Sequence, residues 1–567
     1  MGVIDWSIVG GYMAVSLAIG LMFTKKAGRS LKDYFLSGRS LPWWVVGGSM
    51  VATTFAADTP LAVTEYVRGE GIWRNWFWWT LAINHILAAV VFSRLWRRAE
   101  VLTDNELIEL RYHGKPAAVL RALKACYFST IYNFIVMGWV TAAMSTVLSE
   151  FIDIPITWAV VACMVIALIY SLMSGFWGVV VTDIFQFGVA MIGSVVFAVL
   201  AAKAAGGMDA MLAKIAEMGA GSKLAFFPSM SSGPDVWEFL VFVLVMWWST
   251  HNADGGGYMI QRMMAAKNEK QAQAGTFFFA LMHYIVRVWP WVVVALASVV
   301  LLPGSVTGRQ AYPQLMANIL PVGLRGVFVA VFLAAFMSTI DTHLNWGSSY
   351  IVNDIYKRFI KPEAEQKHYV AVSKIVSLVL MIVAGFVALE IHSITSAWEL
   401  VWAMGAGVGA VLILRWFWWR INAYSEISAM ATSLVIAIGI QIWELTTGES
   451  LALHIKALVV VLGSIAVWLP VTFLTKPEPE KVLKSFCERV KPGGRWPFEV
   501  AGRGYGRSMI VAWIGGVGII YGGMFTIGAL VLRQTDSLSW SIPLVTAGGA
   551  LVWLGMRKIL RQQQVKQ

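Results

Sequence analysis

The stretch Ala334–Tyr356 reads AAFMSTIDTHLNWGSSYIVNDIY and lies inside an apolar segment that begins near Val322. Polar side chains recur in it at helical spacing, which places them on one face of a helix. They are Ser338, Asp341, Thr342, Asn345 and Ser349. An acid at the centre of a bilayer costs about 2.5–3.5 kcal/mol on insertion scales. We therefore expect this stripe to face a protein interior and not lipid.

The polar face of this helix has two possible roles. Carboxylate and hydroxyl oxygens are the ligands that small hard cations prefer, so the stripe could line a cation or substrate path. Hydroxyl side chains also join membrane helices to one another, so it could instead be a hydrogen-bonded seam. The presence of Asp341 and Asn345 beside the hydroxyls favours the cation or substrate path.

Composition places the chain among polytopic helical membrane proteins. Of its 567 residues 58% are hydrophobic and only 13% are charged, whereas soluble proteins carry about 25% charged residues. The net charge of +12 is concentrated in alternate linkers, so we expect a lipid bilayer and no nucleic acid as a partner. The cysteines Cys126, Cys163 and Cys487 form no CxxC pattern, which speaks against a disulfide framework or a zinc site.

Apolar runs of about 20 residues, the length that spans a bilayer, recur about fifteen times. The predicted spans are 4–23, 43–66, 72–95, 120–149, 155–174, 177–202, 236–260, 275–302, 322–350, 370–390, 394–414, 425–446, 453–475, 508–532 and 538–556. The first run lacks a basic leading region, so it is interpreted as a retained helix and not as a cleaved signal peptide.

The distribution of Lys and Arg predicts the orientation of these spans. The basic linkers are 24–42, 96–119, 261–274, 351–369, 476–507 and the tail after 556. The linkers 150–154, 391–393 and 447–452 contain no Lys or Arg. The positive-inside rule then places the N-terminus outside and the C-terminus inside.

Two spans contain residues that interrupt a helix. In span 43–66, Pro60 removes a backbone donor in mid-membrane. In span 236–260, the run Gly255–Gly257 is costly in a straight helix. The second interrupted span comes five spans after the first and runs in the opposite direction, which is typical of inverted-repeat secondary transporters.

This pattern predicts four parts of the chain. They are an accessory helix at 1–30, a first five-helix repeat at 42–203, a second at 236–415, and accessory helices at 420–567. Substrate and coupling ion are expected where the two interrupted helices meet, because unwound backbone carbonyls coordinate cations there.

Three motifs of the chain are similar to those of a known family. They are DYFLSGRSL at Asp33–Leu41, SGFWGVVVTDIFQ at Ser174–Gln186, and AAFMST at Ala334–Thr339 followed by NDIY at Asn353–Tyr356. In this order they resemble the sodium:solute symporter family, which includes sodium/proline, sodium/sugar, pantothenate and sialic acid carriers. The resemblance implies a LeuT-like core of ten helices with accessory helices, sodium as the coupling ion, and no enzymatic cofactor.

The resemblance also implies a sodium site between span 43–66 and the opening stretch. Its ligands map to the backbone carbonyls of Ala52, Phe55 and Ala335 and to the hydroxyls of Ser338 and Thr339. Five neutral oxygens at a helix break form a plausible cage for a monovalent cation.

Some relatives bind a further sodium, and here that site maps to Asp183, Ser338, Asp341 and Thr342. Asp341 stands where relatives have a hydroxyl residue. The two carboxylates could bind a second sodium, share a proton, or stay paired with a cation. Asp183 could instead be a capping acid near a helix start.

The candidate substrate residues are polar groups on the predicted core helices: Thr54, Asp58, Asn84, His85, Trp248, His251, Asn252, Asp254, Tyr284 and Arg287. Arg287 could clamp a substrate carboxylate, but an internal pair with Asp58 or Asp254 is the favoured reading. Proline carriers have an acid where this chain has Thr54, which weakens a proline assignment. These residue types do not show whether the substrate is an amino or carboxylic acid or a sugar.

The chain is therefore predicted to be a symporter in the plasma membrane and not an enzyme. It would couple inward sodium flow to uptake of a small polar organic solute by alternating access. A transporter-fold sensor or channel is the alternative. A channel would need a continuous polar path, and a sensor would normally carry an appended signalling domain; the helix breaks and the short linkers argue against both.

Overall fold

The computed structural model describes residues 1–27, 30–152, 154–500 and 506–564. These residues form helices joined by short loops, and no strand occurs among them. The predicted linkers 24–42, 150–154 and 476–507 each include residues outside this description. The side chains of residues 172–175, where the second quoted motif begins, also lie outside it.

The main helices follow the predicted spans. In chain order they are α1 Val3–Ala27, α2 Trp43–Thr54, α3 Thr59–Gly69, α4 Ile72–Ala99, α5 Gly114–Phe151, α6 Ile156–Ala204, α7 233–249, α8 Gly257–Ala265, α9 Glu269–Leu301, α10 Leu324–Ile360, α11 Gln366–Glu390, α12 Ile394–Gly405, α13 Gly409–Leu414, α14 Ala423–Thr447, α15 Leu453–Leu474, α16 Glu480–Val490, α17 Gly506–Val531 and α18 Leu538–Gln564. Within the described ranges, ten helical stretches are long and apolar enough to cross a membrane, and two shorter apolar ones accompany them.

Helix α6 is too long for a single crossing, and its contacts show that it folds back. Val160 packs beside Ala388 near the C-terminal end of α11, and Phe197 packs edge-on against Tyr312 at 5.2 Å. Arg309, one turn before Tyr312, donates to the carbonyl of Ile391 just beyond that same end of α11. A straight helix would separate Val160 and Phe197 by about 55 Å at 1.5 Å per residue. The reversal agrees with separate predicted spans at 155–174 and 177–202.

Both predicted helix interruptions are present. Helix α2 ends at Thr54, and α3 begins at Thr59 with proline in its first turn. Helix α7 ends at Ser249, and α8 begins at Gly257. Between them Gly255 has a φ of 130°, a conformation that favours glycine.

A third interruption was missed in the sequence, because span 394–414 reads as one apolar run. The chain breaks between α12 and α13, where Gly407 adopts a φ of 93°. The Gly407 amide donates to the Ser249 carbonyl at 2.8 Å. This break therefore lies directly against the end of α7.

The contact between these breaks requires glycine at position 409. A Cβ atom there would lie 2.0 Å from the Trp248 carbonyl oxygen. We expect Gly409→Ala to lower stability by about 1–3 kcal/mol, the usual cost of overpacking. Gly439→Ala is the matched control, because nothing lies within 4 Å of its added methyl group. Equal thermal unfolding temperatures for the two purified variants would contradict this contact.

Candidate functional site

A cavity of about 230 Å³ lies between the interrupted helices. At about 30 Å³ per water molecule, it has room for roughly seven waters or one small solute. Its walls come from both helix breaks and from α4, α5, α9, α10 and α12. Their aromatic side chains are Phe77, Trp78, Tyr132, Trp139, Tyr258, Tyr284, Trp398 and Trp402.

Most of the predicted substrate residues line this cavity: Thr54, Asp58, His85, His251, Asn252, Tyr284 and Arg287. The others lie outside it. Asn84 donates to the Asn252 carbonyl at 2.8 Å. Trp248 donates to its own helix at Leu244. Asp254 accepts from Arg415 and Trp416.

The favoured internal partners of Arg287 are not found. Among the described residues, Arg287 has no acid within 4 Å, and Asp254 is paired with Arg415 instead. Arg287 donates to the Val51 carbonyl at 3.2 Å and contacts His283 Nε2 at 3.0 Å. The other ring nitrogen of His283 contacts the Thr54 hydroxyl at 3.0 Å. The guanidinium is therefore held in place by neutral groups.

The cavity walls also include tryptophans beyond the ten candidates: Trp398, which the sequence offers as a polar group of span 394–414, and Trp78, which the sequence analysis did not single out. Trp398 donates through Nε1 to Asp58 at 2.9 Å. Trp78 stacks on Tyr284 with ring centroids 6.0 Å apart, and the Tyr284 hydroxyl contacts His85 Nδ1 at 2.7 Å. Tryptophans are usual at membrane interfaces, so composition gives no signal that distinguishes these from belt residues.

One predicted sodium ligand, Thr339, lies where α10 crosses the broken end of α2. Its hydroxyl oxygen is 3.0 Å from the Thr53 carbonyl and 3.0 Å from the Ala335 carbonyl of its own helix. The Ala52 carbonyl accepts from the Phe55 amide at 3.0 Å, and the Ser338 hydroxyl donates to Asp183 instead. Thr53 and Thr339 both line the cavity.

The residues of the predicted second sodium site are organised around an arginine. The Asp183 carboxylate accepts from Ser49 and Ser338, each at 2.5 Å. Arg262 lies 3.5 Å from the same carboxylate and donates to Thr342 at 2.8 Å. Asp183 is inside α6 and is not a helix cap. The positive charge beside it is already supplied by the protein.

The position of Arg262 differs from the prediction, which placed it in the basic linker 261–274. The structure places it in α8 with 0% of the residue exposed. Asp341 is also fully buried. The Ser171 hydroxyl lies against its carboxylate. In the described part of the chain, Asp341 makes no hydrogen bond to Asp183 or Thr342, with which it was grouped.

Ion-paired clusters join the helices around the cavity. Arg415 pairs with Asp254 at 2.5 Å and with Glu426 at 3.2 Å, at the end predicted to face inside. At the opposite end, Arg74 pairs with carboxylates of three separate segments. Its partners are Glu70, Glu238 and Glu399, at 3.2, 2.6 and 3.1 Å. These contacts link segments that are distant in the chain.

Comparisons with known proteins agree with this geometry. The model of the sodium:solute symporter family matches residues 34–434. A sodium/glucose cotransporter of Vibrio parahaemolyticus is 26% identical over 468 residues, covering 77% of this chain and 84% of that protein. Sodium/glucose cotransporter 1 of Oryctolagus cuniculus is 24% identical over 549 residues, covering 85% and 80%.

A solved structure shows the same fold. It is a substrate-bound, outward-open Na⁺-coupled sialic acid symporter, with a TM-score of 0.69 at 20% identity. The match covers 84% of this chain and 99% of that one.

Proposed function

The chain belongs to the sodium:solute symporter family and is a sodium-coupled solute symporter; we propose that it imports a small polar organic solute by alternating access. Sodium is the coupling ion of this family of transporters. The proposal is carried by one observation: the Thr339 hydroxyl touches both the broken end of α2 and the cavity. Ion and solute would thus bind side by side.

The proposed architecture is a LeuT-like five-plus-five core. Residues 42–203 and 236–415 would form the inverted repeats, with 1–30 and 420–567 as accessory helices. The ten long helices, two shorter apolar helices and three interrupted ones would together supply fifteen crossings. An odd number puts the two termini on opposite sides of the plasma membrane, and the basic linkers then place the N-terminus outside and the C-terminus inside.

We propose that sodium binds the carbonyls of Ala52, Phe55 and Ala335 and the hydroxyls of Ser338 and Thr339. Thr339 now donates to the Thr53 carbonyl and so holds α2 against α10. Sodium would replace that single bond by shared coordination and would fix the shape of the adjoining cavity wall. Linkage then requires solute to raise sodium affinity by the same factor.

A second sodium among Asp183, Ser338, Asp341 and Thr342 stays a prediction. Arg262 bonds two of these residues, so a cation could enter only after the guanidinium withdraws. The clusters at Arg74 and Arg415 favour a gated carrier over the alternative of a channel, because a channel needs a continuous polar path.

Removing the two proposed hydroxyl ligands tests the sodium site. We expect Ser338→Ala with Thr339→Ala to weaken the sodium dependence of solute binding by about 5–150-fold, the range that corresponds to 1–3 kcal/mol of coupling. The measurement is sodium-dependent binding and uptake by protein in proteoliposomes.

Ser348→Ala provides the control on the same helix, since its hydroxyl donates only to the Asn345 carbonyl. If the double variant folds and keeps the sodium dependence of the Ser348→Ala protein, the assigned site is wrong.

A further inference from the structure

Two buried charges of opposite sign face the cavity. Asp58 is 2% exposed, its Oδ2 accepts from the Trp398 indole, and the Trp139 indole also lies against its carboxylate. It has no cation within 4 Å among the described residues. The N-terminus of α3, which begins one residue later, and the two indoles stabilise a carboxylate here without neutralising it.

The second charge is Arg287, which is 1% exposed. Its two terminal nitrogens contact the Val51 carbonyl and His283, while Nε has no partner in the described part of the protein. The guanidinium carbon lies 5.9 Å from the centre of the Phe55 ring and 5.1 Å from that of Trp291. These groups favour a cation without neutralising it.

No other Asp, Glu, Lys or Arg occurs among the residues that line the described cavity. The rest of the lining is aromatic, aliphatic or neutral polar. The net charge of the wall is therefore zero, yet it contains one unmatched carboxylate and one unmatched guanidinium.

This arrangement discriminates among solutes. A simple cation or anion would neutralise one of the two groups and leave the other buried and unpaired, which is costly. A sugar would offer hydrogen bonds to both but no opposite charge to either. A zwitterion neutralises both at once, since its carboxylate pairs with the guanidinium and its ammonium group pairs with the carboxylate.

We propose that the solute is a zwitterionic amino acid with an apolar or aromatic side chain. Its ammonium group pairs with the Asp58 carboxylate, its carboxylate pairs with the Arg287 guanidinium, and its side chain packs on the tryptophan-rich wall. This inference rests on the proposed function, because it places the solute in the cavity beside the sodium site.

The test uses the unmodified full-length protein in proteoliposomes. Binding is measured for the twenty protein amino acids, D-glucose and myo-inositol, each in sodium and in potassium. L-phenylalanine is compared with phenethylamine, which lacks the carboxylate, and with 3-phenylpropionate, which lacks the ammonium group. We expect amino acids with apolar side chains to bind in sodium, and loss of either charged group to weaken binding about tenfold or more.

Binding of D-glucose or myo-inositol in sodium with no amino acid bound would overturn the zwitterion proposal and leave sodium coupling intact. Amino-acid binding that is equal in sodium and potassium would support the zwitterion site and would refute the proposed coupling of solute binding to sodium. The two failures are therefore distinguishable.

Paired variants assign the two ends of the solute. Asp58→Asn should weaken L-phenylalanine binding about tenfold while leaving 3-phenylpropionate binding unchanged. Arg287→Gln should weaken L-phenylalanine binding about tenfold while leaving phenethylamine binding unchanged. Asp209→Asn, at an acid whose side chain is 80% exposed, is the control. Unchanged L-phenylalanine affinity in folded Asp58→Asn protein would contradict the assignment, and the analogue series tests it without any variant.

Discussion

Arg262→Met is expected to destabilise the protein by about 3–5 kcal/mol, the usual cost of removing one partner of a buried ion pair. Arg262 is 0% exposed and lies 3.5 Å from the equally buried Asp183. It also donates to the hydroxyls of Ser49, Thr53 and Thr342. Methionine would leave the carboxylate without a cation and these hydroxyls without their donor. Thermal unfolding of the purified variant measures the loss.

The double variant Arg262→Met with Asp183→Asn should recover most of that stability, because the uncompensated charge is then gone. Arg533→Met is the control, since both partners of its ion pair with Asp209 are exposed and such pairs contribute about 0–1 kcal/mol. A double variant as unstable as Arg262→Met would show that packing, and not charge, is responsible.

The same variant tests the predicted second sodium. With Arg262 absent, sodium chloride should restore part of the lost stability relative to potassium chloride, because sodium can bind beside Asp183. If both salts leave the unfolding temperature of Arg262→Met the same, no sodium binds among these residues.

Arg415→Met is the second change with a large expected effect. Arg415 is 1% exposed and pairs with two buried carboxylates, those of Asp254 and Glu426. Its removal leaves both unpaired, so we expect a loss of stability of at least about 3–5 kcal/mol. The end of the bundle predicted to face inside would also lose the contact between the segment before α8 and the start of α14.

Arg420→Met is the matched control for this prediction, because Arg420 donates only to the carbonyls of Phe473 and Thr475. Thermal unfolding of the two variants, measured side by side, gives the contribution of the ion pairs. If Arg415→Met costs no more than Arg420→Met, the acid partners contribute little.

Local chemistry explains why some of this structure was predictable. Pro60 cannot continue a helix from the residues before it, and the run Gly255–Gly257 is costly inside a helix, so the two main breaks were predictable from the residues alone. The glycines around Gly407 do not stand out from an apolar run in a glycine-rich membrane protein. The third break becomes visible only through its contact with Ser249.

The partners of the buried charges were not predictable, because they come from distant segments. Asp254 is bound by Arg415, 161 residues away, and no spacing rule links them. Arg262 comes directly after the end of a predicted span, where hydropathy does not distinguish a buried arginine from a linker charge. The proximity of Thr339 to the broken end of α2, in contrast, follows from the family alignment.

The hydrogen bond from the Gly407 amide to the Ser249 carbonyl ties the break between α12 and α13 to the end of α7. Beyond the end of α13, Arg415 pairs with Asp254 inside the break that precedes α8. The break between α12 and α13 is therefore held to the break between α7 and α8 at two points, one through the backbone and one through an ion pair. We expect the two breaks to move together, and residues 250–252 and 255–256 of the break before α8 form part of the cavity wall.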